Sequence, residues 1–270
     1  MLSITNKKYK IILNAVDYFT NNKISISKCS KMFKIDRGTL SKYLKEYNLF
    51  EDRRHYDIDE NFFDNIDSEE KAYWLGFLTA DGCIKRNKNQ ISLGLSIKDY
   101  NHLEKLKNSL KSNKKIYIEK YGTNYKKDAV SCYFKFDNKH MYNTLLNIGF
   151  SSSKSMNEKP INMNNNLIRH YIRGIFDGDG WLYFNKNSCE IGFGMGLNIL
   201  LYIKSIFENN INLKEYKIKP YKNIYRYRIT SKKEINKILD YLYKDSNIYL
   251  HRKYEKYLMY CRFKTKSLKS

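Results

Sequence analysis

Apolar positions along the chain follow one order of elements, written twice. The first copy opens on Trp74-Leu75-Gly76-Phe77-Leu78-Thr79-Ala80-Asp81-Gly82, a mostly apolar run compatible with a helix. A strand presenting Lys85, Asn87 and Asn89 follows. Residues 90–98 then alternate strictly, with Ile91, Leu93, Leu95 and Ile97 on one face and Gln90, Ser92, Ser96 and Lys98 on the other. Next come a helix with Leu103, Leu106 and Leu110 and two more strands. In one, Ile116 and Ile118 alternate with Lys115, Tyr117 and Glu119; in the other, Val130, Cys132 and Phe134 alternate with Ser131, Tyr133 and Lys135. A helix over 139–148 closes the unit. The second copy opens on Ile172-Arg173-Gly174-Ile175-Phe176-Asp177-Gly178-Asp179-Gly180 and continues with a strand bearing Tyr183, Asn185 and Asn187. Cys189, Ile191, Phe193, Met195 and Leu197 then alternate with Glu190 and three Gly, and a helix runs from 200 to 208. Lys217 and Lys219 mark a further strand, and residues 225–230 another, with Arg226, Arg228 and Thr230 on one face; a long helical region and a basic tail end the chain. The predicted fold class is α+β: two pseudo-symmetric αββαββα repeats, residues 71–160 and 161–270. Each four-stranded antiparallel sheet is apolar under its helices and polar on its other face, and the two together form a saddle.

The first fifty residues read differently. Residues 7–21 carry Ile11, Ile12, Ala15, Val16 and Phe19 at helical spacing. Ser25 or Ser27 caps a second helix through Phe33, with Cys29, Met32 and Phe33 inward. Residues 35–38 turn, and residues 39–47 form a third helix on Leu40, Tyr43 and Leu44. The span 25–44 resembles the helix-turn-helix of resolvase-type and transposase-type DNA-binding domains. That resemblance implies a small all-α domain over 1–50 whose last helix turns Arg37, Thr39, Ser41 and Lys42 toward base edges. Residues 51–70 are charged and aperiodic and read as a linker.

Within the two opening runs, small residues stand four apart: Gly76 and Ala80, then Gly174 and Gly178. Residues i and i+4 share a helix face, and small ones there let two backbones approach closely. Each run ends in Asp-Gly, where Gly suits a left-handed turn. If the helices pack face to face, Asp81 and Asp179 emerge together. Crowded carboxylates repel unless they hold cations, and carboxylates with Mg²⁺ are one means of cutting phosphodiesters.

Charge points the same way. The formal net charge is +22, with 25 Tyr and 14 Phe interleaved among the basic residues, so the expected partner is a polyanion, nucleic acid before membrane. The first fifty residues alone carry nine Lys and one Arg against two Asp and one Glu. No apolar run approaches a membrane span, and the N-terminus lacks an apolar signal core. Five scattered Cys without a C-x-x-C point to a reducing compartment and against a zinc site, so the expected location is intracellular.

The paired runs and their repeated units resemble the LAGLIDADG homing endonucleases in their single-chain, two-repeat form, over roughly residues 70–262. The resemblance implies a metal-dependent enzyme that cuts both strands of double-stranded DNA, a monomer with an internal pseudo-twofold, using Mg²⁺ or another divalent cation. It carries the metal-ligand role onto Asp81 and Asp179, and a basic role near the metals onto Lys154 and Lys253. The polar sheet faces imply DNA contacts from Lys85, Asn87, Gln90, Ser92, Lys98, Tyr183, Asn185, Lys217, Lys219, Arg226 and Arg228. Thr79 stands where the family has an inner Asp, a structural position. Ser96 and Gly196 stand where some members have Gln on the second strand, which leaves the water-positioning group unassigned. The ends of the sequence do not match a self-splicing element and read as a free-standing or intron-encoded protein. A non-cleaving transcription regulator and an RNA maturase are the alternative functions.

Overall fold

The computed structural model describes residues 2–22, 24–47, 49, 56–123, 126–150, 160–161 and 163–267. It divides into two compact units, Met1–Tyr56 and Asp57–Ser270. In the first, α1 (Leu2–Asn21), α2 (Ile26–Met32) and α3 (Arg37–Glu46) enclose Ile12, Ala15, Val16, Cys29, Leu40 and Leu44. Ser25 caps α2 by accepting from the Lys28 amide, and Asp36 caps α3 by accepting from the Thr39 amide at 2.9 Å. Because Asp36 is the cap, Arg37 and Gly38 belong to the helix, not to the expected turn. Met32 was expected inward but is 51% exposed. The inward place is taken by Phe33, whose ring lies 5.5 Å from Tyr18.

The second unit holds both repeats. The first runs α4 (Glu69–Asp81), β1 (Gly82–Lys85), β2 (Gln90–Ser96), α5 (Tyr100–Ser109), β3 (Tyr117–Thr123), β4 (Lys126–Asp137) and α6 (Lys139–Asn147). The second runs α7 (Asn165–Asp179), β5 (Gly180–Phe184), β6 (Cys189–Met195), α8 (Leu197–Ile211), β7 (Ile218–Tyr221), β8 (Ile224–Ile229) and α9 (Lys232–Tyr243), with α10 (His251–Ser267) added. The sheets are antiparallel and share one topology, β1-β2-β4-β3 and β5-β6-β8-β7. Core faces follow the alternation: Ile91, Leu93, Leu95, Cys132 and Phe134 are buried in one sheet, and Ile191, Phe193, Tyr227 and Ile229 in the other. Every residue of α4 from Ala72 to Ala80 is buried, as suits a helix that is apolar all round.

Several strand expectations ran past the ends of the strands. Asn87 lies in a 3-10 turn, Arg86–Lys88, and its side chain falls outside the described residues. Ile97 and Lys98 lie in a second 3-10 turn, Ile97–Asp99, so Ile97 is 36% exposed and not inward. Asn185 and Asn187 form the turn after β5, where the Asn185 carboxamide oxygen accepts from the amides of Asn187 and Ser188. Lys217 precedes β7, and Leu197 opens α8. Ile118 pairs with buried Cys132 but sits on an outer strand and is 57% exposed. The linker reading also needs correction. Residues 51–55 lie outside the described residues, but Phe62 and Phe63 are buried, and the Asp59 amide donates to the Leu110 carbonyl.

Candidate active site at the helix seam

The four-residue spacing of small side chains does what close packing requires. A Cβ built on Gly76 would lie 1.9 Å from the Tyr171 carbonyl oxygen, and one on Gly174 would lie 2.1 Å from the Tyr73 carbonyl oxygen. α4 and α7 therefore touch backbone to backbone, with the same residue type admitting each helix to the other. Polar pairs lock the crossing on both sides of its pseudo-twofold. Tyr73 donates to Asp177 Oδ2 at 2.7 Å, and the Tyr171 hydroxyl meets Thr79 Oγ1 at 3.2 Å. Thr79 and Asp177 hold equivalent places in the two runs, so Thr79 still fills the inner-acid position with an oxygen. Asp177 also accepts from the Tyr243 hydroxyl at 2.5 Å and the Leu250 amide at 2.7 Å. Burial raises its pKa against those hydrogen bonds, and its role is to tie the seam to α9 and to the start of α10.

Below the crossing the two helices end together. A Cβ on Gly178 would lie 2.5 Å from the Ala80 Cβ and 3.1 Å from Asp81 Oδ2, so the Asp81 carboxylate lies against the residue that precedes Asp179. Asp81 is half-buried and Asp179 exposed. Both stand at helix C-termini, where the backbone already presents partial negative charge. Gly82 and Gly180 leave the helices in extended conformation, with φ of −67° and −78°, not in the expected left-handed turn. They are glycine for space: a Cβ on Gly82 would lie 2.4 Å from the Leu78 carbonyl oxygen.

Lys253 reaches this end of the seam but turns into the protein. Its Nζ donates to the Phe176 carbonyl at 3.2 Å and also to the Gly180 carbonyl, which caps the C-terminus of α7. Burial pushes its pKa down to about 8, and Asp177 and Asp179 pull the other way. Lys154 lies outside the described residues. Among the described residues no group of three or more His, Cys, Asp or Glu gathers to hold a metal. Two carboxylates are hard oxygen donors that suit Mg²⁺, which commonly takes one or two of them and fills its remaining positions with water and phosphate oxygens.

No family model and no curated protein matches the sequence. Solved structures similar to it include the N-terminal LAGLIDADG domain of DUF199/WhiA, 18% identical over 73% of this chain and 94% of that one, with a TM-score of 0.47. The I-LtrWI LAGLIDADG homing endonuclease bound to target DNA is 16% identical, covering 77% and 92%, with a TM-score of 0.47. I-GzeII in complex with its DNA target is 16% identical, covering 73% and 91%, with a TM-score of 0.49. In this chain itself, twin αββαββα units with one sheet topology meet on helices that each close in Asp-Gly. That is the two-repeat αββαββα architecture expected from the sequence.

The polar faces of its two sheets carry the remaining candidates. On the first, Lys85 is exposed, Gln90 Nε2 donates to Asp137 at 2.9 Å and Ser92 Oγ donates to the Cys83 carbonyl. On the second, Tyr183 and Lys219 are exposed, and the Arg226 guanidinium lies 3.3 Å over the Tyr221 ring and 5.5 Å from Trp181. Arg226, Arg228, Lys217, Lys219, Tyr216 and Tyr221 line a recess of about 590 Å³ on the outer side of β7 and β8. The candidates of the small helical unit stay on its own third helix. Arg37 and Lys42 are exposed, and Thr39 and Ser41 half-buried. Sequence reasoning missed Trp181, Glu190 and Tyr221. The signal for Glu190 was an outward acidic position on a face otherwise basic.

Proposed function

We propose that this chain is a divalent-metal-dependent, site-specific endonuclease of double-stranded DNA. The observation that carries this reading is the seam: two converging helices each end in an Asp, and the Asp81 carboxylate lies against Gly178, the residue before Asp179. The helix-end field disfavours a carboxylate at either place, and a divalent cation bound there would offset it. Asp81 and Asp179 hold the metal in this reading. When bound, Mg²⁺ there neutralises charge on the scissile phosphate and lowers the pKa of a water for attack. The protein's own part is positioning. The close Gly76–Gly174 crossing fixes the two acids relative to one another, and Lys253 stabilises the α7 end from which Asp179 projects. The polar sheet faces, with Lys85, Gln90, Ser92, Lys219, Arg226 and Arg228, bind the duplex, and the helix-turn-helix extends the footprint.

Asp81→Asn and Asp179→Asn are each expected to abolish Mg²⁺-dependent double-strand cleavage while target binding stays within a few-fold. Cleavage is measured on duplexes built from the gene's own flanking DNA with the insertion removed, with EDTA as the control. Wild-type cleavage by Asp81→Asn would sink the assignment. A parent chain that binds but never cuts under these conditions would leave the regulator reading in its place.

A further inference from the structure

On the reading above, an acidic side chain on the DNA-facing sheet works against binding, because it faces phosphates. Glu190 is such a residue, and its surroundings are built around it. Trp181 on β5 lies across β6, over Gly192, where a Cβ would come within 2.4 Å of the indole. The Trp181 Nε1 donates to Glu190 Oε1 at 2.7 Å. The other carboxylate oxygen, Oε2, makes a 2.7 Å ion pair with Arg228 Nε on β8. The Glu190 side chain is 25% exposed and that of Arg228 is 60% exposed. The pair is made through the inner nitrogen of the guanidinium, and among the described residues no hydrogen bond occupies the terminal nitrogens of Arg228, which remain for a ligand on the open side of the sheet. Two terminal N–H groups in a fixed plane match the O6 and N7 acceptors of guanine in the major groove. A carboxylate on Nε sets that plane in advance and limits the rotamers a flexible Arg otherwise explores.

We propose that Glu190 is a positioning residue for sequence specificity, holding Arg228 as the reader of one guanine in the target. This deepens the DNA-reading proposal and rests on it. The two roles open to Glu190 differ in what they do to preference. A carboxylate that merely faces the phosphates lowers affinity for every duplex alike. One that orients Arg228 lowers affinity for random DNA yet raises preference at a single base pair.

The experiment uses the full chain and a library of duplexes randomised along their length, with selection in Ca²⁺ to avoid cleavage and sequencing of the bound fraction. The parent is expected to enrich a guanine at one position that Arg228→Lys loses by about tenfold or more, the discrimination of a bidentate pair. Glu190→Ala is expected to lose preference at that same position while binding random DNA more tightly than the parent. Glu190→Gln keeps an acceptor for Trp181 and is expected to lose part of the preference, which separates loss of the charge from any loss of fold; thermal melts accompany both variants. The assignment is overturned if the Glu190 variants enrich the parent's sequence unchanged, or lose preference at a position that Arg228→Lys leaves intact. A parent that enriches no duplex overturns the DNA reading itself and this assignment with it.

Discussion

His102 is an imidazole held neutral by its surroundings. It is buried against Trp74 and Phe77, each ring centroid 4.8 Å away, and Nε2 lies 2.9 Å from the Tyr73 hydroxyl. That hydroxyl donates to Asp177, so its oxygen must accept, and Nε2 is the protonated nitrogen. Nδ1 is buried and finds no partner among the described residues. Burial first, then the charges of Lys105 and Arg252, push the pKa down to about 3 from 6.5. The sign follows from linkage. The folded state binds fewer protons than the unfolded state between those values, so the stability that neutral His102 contributes is complete above pH 6.5 and is lost as pH falls toward 3. The slope is at most about 1.4 kcal/mol per pH unit. His102→Gln retains a donor for the Tyr73 oxygen and does not titrate. Its urea midpoint is expected to fall less steeply than the parent's through this window. His170, pushed down to about 4 mainly by burial, leaves a residual slope of the same sign. Identical slopes in parent and variant would remove His102 as the source.

At the scale of elements, the seam and the sheets were legible to different degrees. The small-x-x-x-small spacing announced the helix crossing because close packing leaves a compositional mark at every contact. Alternation gave each strand its face, but it does not mark where pairing stops. Residues 90–98 alternate throughout, yet Ser96 ends β2 and the chain turns at Ile97. Lys253 could not be read as a helix cap, since its partners, Phe176 and Gly180, are neighbours only after the two repeats have folded. The same holds for the Trp181, Glu190 and Arg228 cluster, drawn from three strands. The crossing makes a sharp prediction. In Gly174→Ala the new methyl meets the Tyr73 carbonyl and the Phe77 amide nitrogen, at 2.1 and 2.6 Å, and backbone cannot step aside as a side chain can. The expected cost is about 1–3 kcal/mol or more, with cleavage falling further than binding because both acids hang from this contact. In Gly194→Ala the nearest atom is Ile224 Cδ1 at 3.2 Å, a movable side-chain end. That variant is expected to stay within about 0.5 kcal/mol of the parent. Urea unfolding compares the two, and equal stability would mean the helices do not need this approach.

For the whole molecule, the question is where the larger unit begins. Read from composition, residues 51–70 are a linker, and a truncation at 71 looks safe. The packing says otherwise. Phe62 and Phe63 are buried with their rings 4.9 Å apart. Asp64 accepts from Thr144 at 2.9 Å and pairs with His140 at 2.8 Å, and the hydrogen bond from His140 is the largest effect holding the Asp64 carboxyl below its ordinary range. Ser68 caps α4. Glu69 forms a 2.5 Å ion pair with fully buried Arg173 of the other repeat and accepts from the Asn247 amide at 2.8 Å. Removing one partner of a buried pair leaves a stranded charge, at a cost of about 3–5 kcal/mol, and each buried Phe contributes about 1.5–3 kcal/mol more. A chain starting at Asp57 is therefore expected to unfold cooperatively at a urea midpoint close to that of the full-length protein's larger unit, to cut DNA, and to protect a shorter stretch in footprinting. A chain starting at Lys71 loses the Phe pair, the α4 cap and Glu69 together, a sum comparable to the whole stability of a typical domain, and is expected not to fold. If the Lys71 chain unfolds at the same midpoint as the Asp57 chain, residues 57–70 are a linker after all; if the Asp57 chain gives the full-length footprint, the helix-turn-helix unit does not touch DNA.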